Sequence, residues 1–106
     1  MSRGVCHAPG CGLAASGWGC KRHWDMISAP LRRVWYTVIT RMESNDPGWR
    51  WRLLGTSNVM ATYCGARDNL LTPAMIEARL TSEDDDQAAW QRDLWTLARG
   101  EPILTT

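Results

Sequence analysis

The sequence predicts a mainly α fold, a small helical bundle that follows a short cysteine-containing segment at the N-terminus. Three observations indicate this fold. Beyond residue 28, apolar side chains recur at intervals of three and four residues, which is the period of an α-helix. Proline, glycine and hydroxyl side chains stand where these stretches begin and end. At 106 residues the chain suits a single domain, residues 1–106, divided into an N-terminal segment (1–27) and a helical segment (28–106).

The first long helix is predicted to begin near Ser28. Ser28 is a suitable N-cap, and Pro30 suits the first turn of a helix. The turn-forming sequence at 45–48, Asn-Asp-Pro-Gly, is predicted to end it. Between these signals the apolar residues form one stripe at helical spacing: Leu31, Val34, Trp35, Val38 and Met42.

The next segment leaves two assignments open. Residues 48–55, GWRWRLLG, alternate in a way that suits a short strand, but a lone strand has nothing to pair with, so a helical turn or an ordered loop suits the segment equally. From Ser57 onward we predict a helix, although Gly65 weakens it. Its apolar residues recur at helical spacing: Val59, Tyr63, Ala66 and Leu70.

Two further helices are predicted in the second half of the chain. Thr72 and Pro73 begin a short helix that reaches Leu80, and Thr81 or Ser82 caps the last helix. The acidic run at 83–86 falls in its first turn, where the helix macrodipole favours negative charge. Its apolar stripe is Trp90, Leu94, Leu97 and Ala98, and its stop signals are Arg99, Gly100 and Pro102.

The net charge of +1 conceals an uneven distribution. Residues 1–52 hold eight basic and three acidic side chains, a net charge of +5, whereas residues 53–106 hold four and eight, a net charge of −4. A basic half can meet nucleic acid and an acidic half can meet a basic protein surface, or the two halves partly neutralise each other. With no run of eighteen apolar residues and no apolar signal segment at the start, we expect no membrane association and a cytoplasmic protein.

The most specific motif in the chain is C-x4-C-x8-C-x2-H, formed by Cys6, Cys11, Cys20 and His23. Three interpretations compete: two disulfides using all four cysteines of the chain, a catalytic cysteine–histidine pair, or a zinc site. Three thiols and an imidazole are a familiar ligand set for structural zinc. The segment Ala8-Pro9-Gly10 can turn the chain between the first two cysteines, and on a helix Cys20 and His23 share one face. We therefore favour a structural Zn²⁺ site of treble-clef-like or knuckle type.

The remaining cysteine and histidine have simpler interpretations. His7 could replace Cys6 as a ligand, but an exposed neighbouring histidine fits better, and Cys64 lies in an apolar stretch typical of a buried free thiol. A catalytic zinc keeps an open position for water, which four ligands in one segment would not leave. A treble-clef nuclease would need further histidines, and the chain has two in all. We expect no enzymatic activity.

Residues 5–42 resemble a group of small phage- and prophage-encoded zinc-finger proteins, in which a C-x4-C-x8-C-x2-H-W finger precedes a helix that opens with proline, leucine and arginine. The resemblance implies zinc at the four ligands named above and an origin in a mobile element of a bacterial host. It implies no settled activity. The matching residues are Cys6, Cys11, Gly19-Cys20, His23-Trp24, Pro30-Leu31-Arg32-Arg33 and Trp35-Tyr36.

Three sets of residues are candidates for binding a macromolecule. Trp95 falls outside the apolar stripe of the last helix and could form an exposed patch with Ala88 and Gln91, or pack against a second helix. The acidic side chains could dock on a basic partner or simply face water at a helix start: Asp84, Asp85 and Asp86. The arginines near Trp49 and Trp51 could bind phosphates: Arg32, Arg33, Arg50 and Arg52.

These observations favour a non-enzymatic, zinc-stabilised protein that binds a host protein as an inhibitor or regulator, for example of a host defence system such as a CRISPR complex. The alternative is a nucleic-acid-binding regulator that uses the finger and the arginine-rich helix face. Against it, the chain is close to neutral, while dedicated nucleic-acid domains are usually strongly basic. A nuclease ranks third, because no acid–base constellation is present.

Overall fold

The computed structural model describes residues 4–15, 17–41 and 48–99, and these form a mainly helical fold, as predicted. A two-stranded antiparallel sheet precedes the helices. The elements in chain order are β1 (Gly4–Val5), β2 (Ala14–Ala15), α1 (Lys21–Met26), α2 (Ala29–Arg41), α3 (Trp49–Arg67), α4 (Pro73–Leu80) and α5 (Asp85–Ala98).

The 19-residue helix α3 is the centre of the bundle, since it packs against α2, α4 and α5. Its inner face is fully buried at Val59, Met60 and Cys64. Small residues let neighbouring elements approach closely. A Cβ added at Gly55 would lie 3.0 Å from Trp90 Cδ1 on α5. The core of the protein therefore lies along one long helix.

The strand assignment for residues 48–55 is wrong, and the helical alternative is confirmed, because these residues open α3. A helix satisfies its backbone hydrogen bonds within the segment, so it needs no partner strand. The helical arrangement brings the Trp51 ring edge-on to the Trp90 ring, with centroids 5.9 Å apart, and leaves Leu54 exposed.

Helix α3 ends earlier than its apolar spacing predicted. Asn69 has a left-handed φ of 59°, and Leu70 lies beyond the helix and is half exposed. The amide of Asn69 donates to the carbonyl of Ala66 (3.1 Å), and the amide of Leu70 donates to that of Gly65 (2.9 Å). This pair of hydrogen bonds is a Schellman motif, which satisfies the last carbonyls of the helix.

Helix α2 follows the predicted stripe. Leu31 and Val38 are buried, while Val34 and Trp35 are partly buried against the same core. Met42 and the predicted stop at 45–47 lie outside the described residues. Ser28 occupies the N-cap position, as predicted, since the helix begins at Ala29 and the Ser28 carbonyl accepts from the Arg32 amide. Its hydroxyl does not cap the helix, because it is buried with no hydrogen-bond partner in the described part of the chain.

The starts of α4 and α5 differ in how well the sequence predicted them. The Thr72 hydroxyl accepts a hydrogen bond from the Met75 amide (3.2 Å), which confirms the cap of α4. Helix α5 is capped by Asp84 rather than by Thr81 or Ser82. The Oδ1 atom of Asp84 accepts hydrogen bonds from the backbone amides of residues 86 (2.9 Å) and 87 (3.1 Å). The two hydroxyls are engaged elsewhere, since Thr81 donates to the Glu77 carbonyl and Ser82 accepts from the Asp84 amide.

A buried amide joins three helices at a position that the sequence assigned to a possible exposed patch beside Trp95. Gln91 on α5 is fully buried. Its Nε2 donates to the Leu80 carbonyl at the end of α4 (3.0 Å), and its Oε1 accepts from Asn58 on α3 (3.0 Å) and from Gln87 (3.2 Å). Because buried polar groups must be paired, these contacts fix how the three helices meet.

We expect Gln91→Leu to lower the free energy of unfolding by about 1–3 kcal/mol, because it leaves the Leu80 carbonyl and the Asn58 amide buried without that partner. Urea denaturation followed by circular dichroism measures the change. Asp93→Leu on the exposed face of the same helix is the matched control and should change stability by less than about 0.5 kcal/mol. Equal stability of Gln91→Leu and wild type would contradict this role.

Candidate metal centre

Four side chains converge between the N-terminal sheet and α1 to form a site that can hold a metal ion. The Sγ atoms of Cys6, Cys11 and Cys20 and a ring nitrogen of His23 all lie within 4.8 Å of one another. Cys6 and His23 are buried, and Cys11 and Cys20 are half-buried. These are the four residues that the motif spacing predicted.

The first two ligands are positioned by the hairpin of β1 and β2. The strands pair antiparallel, and the amide of Cys6 donates to the carbonyl of Leu13 (2.8 Å) just beyond them. The Cys11 amide donates to the Ala8 carbonyl (3.2 Å), which closes the turn. Gly10 within that turn has a φ of 74°, a conformation that favours glycine. The predicted turn between the two cysteines is therefore present.

The other two ligands lie at the start of α1. Cys20 is the N-cap residue, one position before the helix rather than on its face as predicted, and its Sγ lies 3.2 Å from His23 Nδ1. The carbonyl of Cys20 accepts from the Trp24 amide (2.8 Å), which starts the helix. A Cβ at Gly19 would lie 3.3 Å from Cys6 Sγ, so glycine there allows the two pairs of ligands to approach.

The contacts of His23 identify which of its ring nitrogens faces the site. Nδ1 lies 3.4 Å from Cys6 Sγ and 3.2 Å from Cys20 Sγ, whereas Nε2 lies 2.8 Å from Asp68 Oδ2. With Nε2–H donating to the carboxylate, Nδ1 presents its lone pair to a metal ion. Two hydrogen bonds hold the pKa of Asp68 below its ordinary value. The bond from His23 has the larger effect and the bond from Arg22 the smaller.

Asp68 is the member of this site that sequence analysis missed. It is the C-cap residue of α3 and lies 45 positions from His23. Arg22 on α1 donates to its Oδ1 (2.7 Å). No local pattern marks Asp68, since only the packing of α3 against the N-terminal segment brings it to the imidazole. A carboxylate that orients a metal-binding histidine fixes the tautomer of the ring and raises its basicity.

We expect Asp68→Ala to weaken metal affinity by about 10–100-fold, because the His23 ring loses the group that orients it. Competition for Zn²⁺ with a chromophoric chelator measures the change. Asp25→Ala is the matched control, since Asp25 forms an ion pair with Lys21 on the same helix (2.7 Å) and contacts no ligand. The role assigned to Asp68 would be refuted if both variants bound Zn²⁺ as tightly as wild type.

The local environment changes the acidity of two of the thiols. The backbone amide of His23 lowers the pKa of Cys20 to about 7, with a further contribution from the His23 side chain. Burial raises the pKa of Cys6. Thiolates, not thiols, bind metal ions. Cys20 is therefore better prepared than Cys6 to bind a metal ion at neutral pH, and a bound cation would favour the thiolate of Cys6.

The remaining cysteine and histidine stand outside the cluster. Cys64 is a fully buried free thiol, as predicted, and burial raises its pKa to about 12. Its Sγ donates to the His23 carbonyl (3.7 Å), so it supports the site without entering it. His7 is exposed and packs against the Trp18 ring, with centroids 5.9 Å apart. All four cysteines are free, so the disulfide interpretation is not supported.

The arginines proposed to bind phosphate are divided between two helices. Arg32 and Arg33 lie on α2, where Arg33 is exposed and Arg32 half-buried. Arg50 and Arg52 lie on α3, where Arg50 is exposed. The Arg52 guanidinium lies 4.8 Å from the Trp51 ring centroid and 6.0 Å from that of Trp90, so it already stacks on tryptophans of the protein itself.

The structure corrects the surface proposed around Trp95. Gln91 is fully buried, so the predicted patch with Trp95 and Ala88 does not form. Trp95 is half-buried and meets the Tyr63 ring on α3 edge-on, with centroids 6.4 Å apart. The three acidic residues at 84–86 are exposed, and Asp84 serves as the cap of α5.

Comparison of the chain with protein-family models, with curated proteins and with solved structures finds no match. Among the helices of the described residues, none combines the length and the apolar character needed to cross a lipid bilayer.

Proposed function

We propose that this chain is a non-enzymatic, zinc-stabilised protein of phage or prophage origin that binds a host protein in the bacterial cytoplasm. The observation that carries the proposal is the enclosed cluster of three thiols and one imidazole. The resemblance of residues 5–42 to phage-encoded finger proteins supports the origin. A protein that inhibits or regulates a host machine, such as a defence complex, fits both features.

Zinc is the metal that suits this ligand set. Three thiolates and an imidazole match the preference of Zn²⁺ for soft or borderline ligands in a tetrahedron. One equivalent of Zn²⁺ per chain, measured by atomic emission after purification without added metal, is the expected result. A chain that folds fully without any bound metal would contradict the assignment.

A structural role for the metal fits better than a catalytic one. Four protein ligands complete a tetrahedral zinc site, whereas a catalytic zinc keeps a position for water or substrate. The one imidazole of the chain outside the cluster, His7, packs on Trp18 rather than facing the thiols. The metal would therefore hold the hairpin, α1 and the end of α3 together, while side chains elsewhere contact the partner.

A protein partner is favoured over nucleic acid because several arginine side chains already form ion pairs or stacking contacts with other residues of the protein. Arg22 pairs with Asp68 (2.7 Å) and Arg92 with Glu77 (2.6 Å), and Arg52 stacks on tryptophan rings. The exposed acidic residues at the start of α5 suit a basic protein surface instead. Nucleic-acid binding through exposed Arg33 and Arg50 is the second candidate.

Two charge-reversal variants separate these candidates. Asp85→Lys with Asp86→Lys leaves the Asp84 cap in place and removes exposed acidic charge, whereas Arg33→Glu with Arg50→Glu removes exposed basic charge. We expect capture of a host protein from lysate to weaken for the acidic variant and to persist for the basic one. Duplex DNA binding that falls steeply with salt, and that the basic variant loses, would instead support the nucleic-acid candidate.

A further inference from the structure

Two depressions on the surface of the bundle adjoin at Trp95. One has a volume of about 330 Å³ and lies at the ends of α3 and α5. The other, of about 460 Å³, lies between α4 and α5. Both volumes fall within the range of about 300–1,000 Å³ that is typical of ligand sites. We call the two together the Trp95 surface and define it by six side chains: Tyr63, Arg67, Ile76, Arg92, Trp95 and Arg99.

The direction of the helices brings basic side chains to this surface. Helices α3 and α5 run parallel, since Asn58 contacts Gln91, and Tyr63 meets Trp95 about one turn further along both helices. Their C-terminal ends therefore lie side by side at the smaller depression. Basic side chains are favoured at helix C-termini. Arginines thus collect here although residues 53–106 have a net charge of −4.

Two arginines and no carboxylate are among the residues that line the smaller depression. Arg67 is the last residue of α3, and Arg99 is the C-cap of α5. Among the ion pairs within residues 4–15, 17–41 and 48–99, none includes Arg67. The Arg67 guanidinium lies 5.9 Å from the centroid of the Tyr63 ring. Such stacking covers one face of a guanidinium and leaves the N–H donors at its edges available to a ligand.

The place of Arg67 at a helix end offsets only part of its charge. A helix C-terminus carries about half a negative charge, against one positive charge on the guanidinium. The last carbonyls of α3 need no side-chain donor, because Ala66 and Gly65 accept from the backbone amides of Asn69 and Leu70. The exposed guanidinium therefore attracts an anion, and a carboxylate or a phosphate matches the geometry of its paired N–H donors.

The larger depression adds apolar surface beside this cation. Arg92 and Glu77 at this depression pair with each other (2.6 Å), so together they add no net charge. Pro73 and the half-buried Ile76 supply an apolar wall on α4, and Trp95 supplies one on α5. The complementary ligand therefore combines an acidic group with an apolar group a short distance away.

An acidic peptide suits this surface better than a nucleic acid does. A nucleic acid carries a phosphate at every nucleotide and needs a row of cations along its path. Glu77 beside the surface is exposed, and so are the three acidic residues at 84–86, at the opposite end of α5. This half of the chain repels a long polyanion, whereas a short acidic segment can reach Arg67 without crossing the other carboxylates.

We propose that the Trp95 surface binds a short acidic segment of the host protein, with a carboxylate on Arg67 and an apolar side chain between α4 and α5. This inference rests on the proposed protein partner. The guanidinium can donate two parallel hydrogen bonds to the carboxylate. The neighbouring aromatic rings exclude water from one side of the contact, which strengthens it. Helix α5 thus presents acidic charge at its start and basic charge near its end.

The test is titration of the ¹⁵N-labelled full-length protein with the acetylated and amidated hexapeptide Glu-Glu-Leu-Leu-Glu-Glu. We expect the indole N–H signal of Trp95, which Trp95→Phe assigns, and the backbone amide signal of Arg67 to shift. The indole signal of Trp18, which is bonded to the Ser57 hydroxyl (2.9 Å), should not shift.

Arg67→Gln should weaken binding of this peptide about fivefold, the loss expected when one exposed charged contact is removed. Lys21→Gln is the matched control. It removes the same charge from an exposed side chain of α1 that lies outside both depressions, and it should bind the peptide as wild type does.

Several results would overturn the inference. Absence of shifts at Trp95 and Arg67, equal shifts with the peptide that has glutamine in place of glutamate, or undiminished binding by Arg67→Gln would each do so. Tighter binding of hexathymidylate than of the acidic peptide at the same signals would assign the surface to nucleic acid instead. If Arg67→Gln captures the host protein as well as wild type does, the proposed function stands and the inference about the Trp95 surface fails.

Discussion

If the proposed zinc is structural, we expect Cys6→Ser to abolish stoichiometric zinc binding and to lower the free energy of unfolding by more than about 4 kcal/mol, because a structural metal contributes its binding energy to folding. Cys6 is the best-buried thiol of the cluster and lies near all three other ligands. For a domain of this size the loss corresponds to a fall of roughly 15 °C or more in Tm. Zinc analysis and thermal denaturation measure the two effects.

The effect should reach beyond the N-terminal segment, because that segment is bonded to the centre of the bundle. His23 pairs with Asp68 and its carbonyl accepts from Cys64, both at the end of α3, and Trp18 bonds Ser57 in the middle of that helix. Loss of a bound metal would free the segment and expose this face of α3. A single cooperative transition at a lower temperature is therefore expected.

A matched cysteine variant and a chelator provide the controls for this prediction. Cys64→Ala removes a thiol that is buried beside the site but belongs to no ligand set, so it should keep one equivalent of zinc. Treatment of wild type with a strong chelator should reproduce the melting curve of Cys6→Ser. Retention of zinc by Cys6→Ser, or a melting curve that the chelator leaves unchanged, would contradict the structural role of the metal.

Met60→Ala should lower the free energy of unfolding by about 2–5 kcal/mol, the range for truncating a large side chain in a packed core. Met60 is fully buried in the middle of α3 and belongs to the main hydrophobic cluster. Its removal leaves a cavity where the central helix meets its neighbours, and a packed interior relaxes only partly around such a cavity. Urea denaturation gives the change in stability.

The matched control for this core prediction is Met75→Ala on α4, where the same side chain is 46% exposed. It should change stability by less than about 0.5 kcal/mol. Both variants should keep stoichiometric zinc, since neither residue contacts a ligand. Equal effects of the two substitutions would show that α3 is not the centre of the core.

Most of the helices follow from the sequence because their signals are local. The stripe of α2 and the Thr72-Pro73 start of α4 act through residues within one or two turns, and the structure confirms both. Before α5, two hydroxyl side chains and an acidic run are all suitable N-caps, so local preference does not decide which residue caps the helix. Asp84 takes that role because the helix begins at Asp85, and the hydroxyls of Thr81 and Ser82 bond elsewhere.

For the candidate metal centre too, the sequence predicted the residues that have a local signal and missed those that act over a long distance in the chain. Its four ligands lie within eighteen consecutive positions, so their spacing alone indicated the cluster. Asp68, the partner of His23, and Gln91, the amide that joins three helices, had no such signal. Each contacts residues that are distant in the chain, and only the packing of whole helices brings those residues within hydrogen-bond distance.

The sequence by itself therefore determined the helical class, the ligand set, the start of α2, both ends of α4 and the end of α5, since backbone hydrogen bonds, caps and ligand spacing act over a few residues. Only the tertiary structure decided that residues 49–55 are helical, that Trp95 packs on Tyr63, and that Tyr36 stays exposed. These outcomes depend on the burial of one helix against another, a free energy that no short stretch of the chain contains.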